Sequence, residues 1–173
     1  MGESRSFQLT IVRHGTAAPR QGFSGPDRDR PLTADGSAQA RALVPVLADR
    51  HVGAIVSSPA RRCIETVTPL AESLGVTIEI VDALDEESSG DAALNALIER
   101  GLSMSRGDVI GASHGPIFDD LLRKFDGAIG ARSAEIEKAG RVVLSIADGA
   151  VTDLSTFRAP ALNTANSRGA PRS

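Results

Sequence analysis

Apolar residues recur along the chain in two alternating rhythms, one suited to strands and one to helices. Residues 7–12 (FQLTIV) form a short β-branched run that stops at Arg13-His14-Gly15, the pattern of a buried strand. Residues 15–32 break the rhythm with Gly, Pro, Asp and Arg and read as one long loop. Loops of that length inside a small domain usually serve function or lack order. Thr33 stands as an N-cap for a helix over 34–49, with Leu43, Val46 and Leu47 on its inner face and Pro45 as a kink. Residues 52–56 predict a second buried strand. Ser58 follows as an N-cap, with Pro59 at the first helical position. The helix carries Ile64, Val67, Ala71 and Leu74 at helical spacing, and Gly75 ends it. Residues 76–81 alternate as a strand, 82–90 form an acidic loop, and 92–102 predict a helix. Residues 108–112 are a further strand, after which Ser113-His114-Gly115-Pro116 turns into a helix running to about Phe125. Residues 127–140 fit no single pattern. Residues 141–146 and 151–154 read as a hairpin around Asp148-Gly149. From residue 158 the composition turns to Ala, Asn, Ser, Arg, Gly and Pro, which predicts a frayed tail.

Strands alternating with helices define an α/β domain with a mainly parallel sheet. The length of 173 residues suits one such domain, here 1–157, with a flexible tail over 158–173. In parallel sheets ligands bind beyond the carboxyl ends of the strands. The residues at those ends therefore carry the functional reading.

Composition narrows the choices. Apolar residues make up 41% and charged residues 24%, ordinary values for a soluble protein. The single cysteine, Cys63, excludes a disulfide framework within the chain. Trp and Tyr are absent, which argues against stacking platforms for single-stranded nucleic acid. The net charge is -3, and residues 155–173 hold three arginines and no acid, leaving 16 basic against 22 acidic residues in the body. Such a body has no general attraction to phosphate backbones, so any basic site is a local concentration. Only Lys124 and Lys138 among the 19 basic residues are lysine. No apolar run approaches the ~18 residues that span a bilayer. No signal peptide is visible, and the reading places the chain in the cytoplasm, without nucleic-acid or membrane partners.

Three strands run out into polar residues of one chemical kind. The first ends in Arg13-His14-Gly15. The second ends in Ser57-Ser58-Pro59, ahead of Arg61 and Arg62. The third ends in Ser113-His114-Gly115. In a parallel sheet two of the three histidines and several arginines converge at one edge, with two helix amino ends aimed at the same place. The set suits a dianion, above all a phosphoryl group, because arginine offers forked donors to its oxygens. A neutral imidazole attacks phosphorus, and fixed cations stabilise the spread charge of the transferring group. The leaving oxygen needs a proton, and the acidic loop with Asp82, Asp85, Glu86 and Glu87 is the obvious source. A metal site is the competing chemistry. Arginines beside both histidines would repel a divalent ion, and neither a His-x-x-x-His pair nor a cysteine pair exists.

These residues resemble the histidine phosphatase superfamily, with its phosphoglycerate-mutase-like fold. Arg13-His14-Gly15-Thr16 looks like its RHG motif. Residues 58–66 (SPARRCIET) resemble its SPxxRAxxT segment, with Cys63 in place of the usual Ala. Ser113-His114-Gly115 matches the second-histidine motif, and residues 84–90 (LDEESSG) are similar to LxExxxG. Residues 23–25 (FSG) and 31–36 (PLTADG) also resemble family segments. The resemblance covers roughly residues 7–155, in the right order and spacing. It is similar in size to the SixA-type phosphohistidine phosphatases and in motif wording to the phosphatase-like domain of mycobacterial Nudix fusion enzymes.

The resemblance implies a three-layer α/β sandwich with helices on both faces of a mainly parallel sheet. It implies His14 as the nucleophile, Arg13, Arg62 and His114 as the phosphoryl-binding groups, and Glu86 as proton donor, with Glu87 as the alternative. Thr16, Ser24 and Gly115 would contact the substrate. It implies no metal and no organic cofactor. The substrate is a small phosphorylated molecule or a phosphohistidine protein. Two other readings stay open at this point, a non-catalytic module that binds phosphorylated ligands and a phosphotransferase or mutase.

Overall fold

In the computed structural model, which describes residues 4–127 and 135–162, the predicted alternation takes definite bounds. The strands are β1 (Ser6–Arg13), β2 (Val52–Ser57), β3 (Ile78–Ile80), β4 (Asp108–Ser113), β5 (Arg141–Ala147) and β6 (Ala150–Phe157). The helices are α1 (Ala34–Leu47), α2 (Arg61–Leu74), α3 (Gly90–Leu102) and α4 (Gly115–Lys124). The six strands form one sheet in the order β3-β2-β4-β1-β5-β6. The first four in that order are mutually parallel, and the β5–β6 hairpin adds antiparallel to β1. No helix among the described residues is long and apolar enough to cross a membrane.

Successive side chains on a strand face opposite sides, and the sheet uses both sides. Leu9 and Ile11 of β1, Val56 of β2 and Val109 of β4 join Leu94, Leu97, Ile117, Phe118 and Leu121 from α3 and α4. Val12, Ile55 and Ile110 join Leu43, Leu47, Cys63, Val67 and Leu70 from α1 and α2. The central strands are therefore apolar on both faces, which is why they read as continuous runs. The three-layer sandwich is the expected one.

The parallel register sets the site. Arg13 on β1 pairs with Ser113 on β4, and Ala112 on β4 pairs with Ser57 on β2. The residues that follow, His14, His114 and Ser58, therefore emerge side by side at one edge of the sheet.

Several local expectations are corrected. Ser58 is not the N-cap of α2; Ala60 holds that position without a side-chain cap, and the helix starts at Arg61. The Ser58 hydroxyl is taken by His114, an interaction that local propensity does not foresee. The strand expected over 76–81 is confined to the edge strand Ile78–Ile80. Helix α3 starts two residues earlier than expected, with the Ser89 hydroxyl accepting from the Ala92 N–H. That start works because Gly90 lies against α4, where a Cβ would stand 2.6 Å from the Cβ of Asp120.

The long loop over 15–32 is built like a short ribbon. Ala17 and Leu32 form an antiparallel bridge, the Ala18 N–H donates to Pro31 O, and Asp27–Asp29 form a 3-10 turn. Of the unassigned stretch 127–140, residues 128–134 lie outside the described residues. So do residues 163–173 of the expected tail. Its first part is held to the sheet edge, with the Ala159 N–H donating to Glu137 Oε1.

Candidate active site

His14 is the first residue beyond β1 and only 5% exposed. Its Nδ1 lies 2.8 Å from its neighbour's carbonyl, Gly15 O. A carbonyl only accepts, so Nδ1 carries the proton and Nε2 keeps its lone pair. His114 caps the start of α4 and is fully buried. Its Nδ1 faces Arg62 Nη2 at 3.3 Å, and a guanidinium only donates, so here the proton sits on Nε2 and points at Ser58 Oγ, 2.8 Å away. The ring centres are 5.4 Å apart. Burial, then the Lys138 charge, push the His14 pKa down to about 3. Burial, then Arg62, push that of His114 down to about 4. Both rings are neutral near pH 7, and each has its tautomer set by a partner.

Arg62 stands in the first turn of α2 at 2% exposure. Its Nη1 donates to Asp27 O at 2.9 Å and meets Asp27 Oδ2 at 3.1 Å, while Nη2 donates to Glu86 Oε2 at 3.0 Å. Arg13 donates through Nη1 to Ile136 O and pairs with the exposed Glu135 at 3.5 Å. Gly115 lies beneath the Arg13 guanidinium, where a Cβ would come within 3.0 Å of Nη2. The Nε–H groups of both arginines are buried and have no partner among the described residues. A buried donor left unpaired costs about 1–3 kcal/mol, so two of them in one site call for an acceptor.

The acidic loop is anchored by Leu84, which is buried and whose carbonyl accepts the Ser113 hydroxyl at 2.7 Å. That contact ties the loop to the strand carrying His114. Glu86 then reaches Arg62 and also accepts from Arg20 at 2.8 Å. Glu87 is exposed. Asp85 accepts the Glu86 N–H at 2.6 Å.

The structure thus brings His14, Arg13, Arg62, His114, Gly115 and Glu86 together. Thr16 lies just beyond, its N–H and hydroxyl both directed at Gln39 Oε1, at 2.8 and 3.2 Å. Ser24 sits exposed on the long loop. Cys63 approaches His114 Nε2 at 3.5 Å, and burial pushes its thiol up to about 12, so it stays a neutral filler.

Residues without an assigned role in the sequence reading complete the site. Asp27 bridges Arg62, Arg30 and Arg20, and the Arg30 hydrogen bond foremost holds its carboxyl below the usual range. Lys138 places its Nζ 3.3 Å from His14 Nε2. Thr66 joins the loop after β1 to α2. The only sequence signals were the Thr66 position within a motif and the rarity of lysine.

The sequence profile of the histidine phosphatase superfamily (branch 1) matches residues 9–100, and the chain belongs to that superfamily. It is 31% identical over 146 residues to the 8-oxo-(d)GTP phosphatase of Mycolicibacterium smegmatis, covering 82% of this chain and 45% of that protein. This chain therefore spans less than half the length of that curated relative. Its fold is similar to the protein histidine phosphatase SixA complexed with tungstate, with a TM-score of 0.67 and 21% identity over 88% of this chain and 97% of that one. It is also similar to the mycobacterial glucosyl-3-phosphoglycerate phosphatase, with a TM-score of 0.68 and 18% identity over 91% of this chain and all of that one.

Proposed function

We propose that this chain is a phosphatase that works through a phosphohistidine on His14. The observation that carries the reading is a buried, neutral imidazole whose Nε2 keeps its lone pair, in a site that also holds Arg13 and Arg62, whose buried Nε–H groups have no partner among the described residues. A phosphoryl dianion supplies the acceptors those donors lack.

The reaction has two displacements. His14 Nε2 attacks phosphorus as the bond to the leaving oxygen breaks, and Glu86 gives that oxygen its proton. Arg13, Arg62 and His114 hold the remaining oxygens while charge spreads over them. Water then attacks the phosphohistidine, its proton passing to the Glu86 carboxylate, and the N–P bond breaks to release phosphate. The contact of Glu86 with Arg62 supports it over the exposed Glu87. Thr16, Ser24 and Gly115 border the path of the rest of the substrate, and Gly115 gives Arg13 room to lie flat. Residues 1–157 form the phosphatase domain and 158–173 its tail.

The substrate is a phosphomonoester or a phosphohistidine. Likeness to an 8-oxo-(d)GTP phosphatase supports a nucleotide, and likeness to SixA supports a protein phosphohistidine. The test is turnover of p-nitrophenyl phosphate with EDTA present, for the wild type and His14→Ala, followed by nucleotides, sugar phosphates and a phosphohistidine protein. Activity that resists EDTA and disappears in the variant is expected. Turnover retained by His14→Ala would remove the nucleophile. Phosphate binding without turnover on the whole panel would favour a binding module.

A further inference from the structure

Lys138 belongs to none of the motifs that define this site, yet no other ammonium among the described residues reaches it. Its Nζ lies 3.3 Å from His14 Nε2, the nitrogen that carries the lone pair. Lys124, the other lysine, makes an exposed ion pair with Asp91 at 2.6 Å. Lys138 is half-buried, and no carboxylate among the described residues lies within ion-pair distance of it.

Its placement is not that of a loose surface chain. The Ala139 N–H donates to Arg13 O at 3.0 Å, and the Arg13 N–H donates to Gly140 O at 2.9 Å. The Arg13 guanidinium donates to Ile136 O on the other side of Lys138. Ala139 itself is fully buried and adopts a φ of 60°, a left-handed conformation that an L side chain enters only when its surroundings impose it. Lys138 is thus clamped from both sides to the strand end that bears His14.

The charges around it make the placement costly. Arg13 and His14 face it from the end of β1, Arg62 from α2, His114 from the start of α4, and Arg30 from the long loop. Glu86 opposes them at Lys138, and Asp27, Glu135 and Asp85 offset part of the charge at Arg62, Arg30, Arg13 and His114. Burial foremost, then the arginines, lower its pKa from 10.5 to about 8. A cation held among cations is an arrangement that an incoming dianion relieves.

We infer that Lys138 is a further catalytic residue, whose ammonium holds the Nε2 lone pair of His14 and passes to a phosphoryl oxygen when the substrate arrives. The inference rests on the phosphatase reading above. The lysine keeps its proton throughout. Its hydrogen bond moves from nitrogen to oxygen, the freed lone pair forms the N–P bond, and the electron pair of the breaking P–O bond leaves with the proton from Glu86. Lysine suits this role because a compact ammonium on a flexible stem can swing, whereas the two arginines are braced by fixed contacts. The nucleophile is uncovered by the group it is to attack.

The test uses Lys138→Met and Lys138→Arg in the full chain, with His14→Ala as control. Affinity for inorganic phosphate is measured by calorimetry, and kcat/KM for p-nitrophenyl phosphate across pH. Lys138→Met is expected to bind phosphate about tenfold more weakly and to lose ~100-fold in kcat/KM. The wild type should lose kcat/KM above about pH 8, and Lys138→Met should lack that fall. Lys138→Arg should restore most of the phosphate affinity without the alkaline fall. If Lys138→Met keeps wild-type phosphate affinity and kcat/KM while His14→Ala is inactive, the phosphatase reading stands and the lysine assignment falls. Turnover that survives His14→Ala would overturn both.

Discussion

Thr66 Oγ1 accepts the backbone N–H of Gly15 at 2.9 Å. The same hydroxyl donates to the carbonyl of Arg62, one turn earlier in α2, at 2.6 Å. One buried hydroxyl therefore locks the loop that carries His14 to the helix that carries Arg62. Thr66→Val keeps the branched shape and leaves the Gly15 N–H buried without a partner. The expected loss is about 1–3 kcal/mol of stability, read from the urea midpoint. A larger loss in kcat/KM than in fold is expected as well, because nucleophile and phosphoryl site then move independently. Unchanged kinetics would show that the loop is held by its other contacts.

Gly115 has a conformation open to other residues, and what restricts it is the Arg13 guanidinium stacked above it. A methyl group at this position would meet the far end of a flexible side chain at 3.0 Å. Gly115→Ala should therefore fold nearly as well as the wild type, yet shift Arg13 and raise KM. Thermal melting and steady-state kinetics separate the two effects. A collapse in melting temperature would mean that the backbone, not the guanidinium, was in the way.

Glu86→Gln removes the proton from the proposed acid and keeps its shape. Substrates whose leaving oxygen is strongly basic should slow more than p-nitrophenyl phosphate, which leaves with little help. A set of aryl phosphates of graded leaving-group pKa reads this as a steeper dependence. Glu87→Gln is the control and should leave the dependence alone. An equal loss on all substrates would place the acid elsewhere.

The buried histidines make stability depend on acidity. Their folded pKa values, about 3 for His14 and about 4 for His114, lie below the ordinary value of 6.5. Below pH 6.5 the unfolded chain therefore binds protons that the folded chain refuses. The stabilisation is fully present above that pH and is lost as pH falls toward the folded values. Each ring contributes a slope of up to about 1.4 kcal/mol per pH unit. His14→Asn should flatten the fall in urea stability between about pH 6 and pH 4.5. The same slope in wild type and variant would mean that His14 is charged in the fold.

Much of the architecture was legible because burial writes itself into residue type. The runs at 7–12, 52–56 and 108–112 are apolar on both faces, as strands between two helical layers must be. The αL conformation of Gly75, at φ 67°, closes α2 where the pattern placed its end. Gly36 was visible as part of a motif, but its reason was not. A Cβ there would run into the carbonyl of Thr16, so α1 can approach the loop after β1 only through a glycine. Ser58 fits the local rule for a helix cap, but its hydroxyl is claimed by a contact 56 residues away in the chain.

The residues alone determined the class of fold, its family and the convergence of two histidines with arginines at one sheet edge. The fold class and the convergence follow from periodicity and from what strand ends must present in a parallel sheet, and the family from the resemblance of its motifs. Tertiary structure decided which nitrogen of each imidazole carries the proton, that Glu86 and not Glu87 meets Arg62, and that Asp27 and Lys138 enter the site at all. Apart from the His14 tautomer, which its neighbour Gly15 sets, these depend on contacts between residues 24 to 124 positions apart, set by sheet register and loop path. Local pattern reports burial, whereas protonation and pairing are properties of the assembled electrostatic neighbourhood.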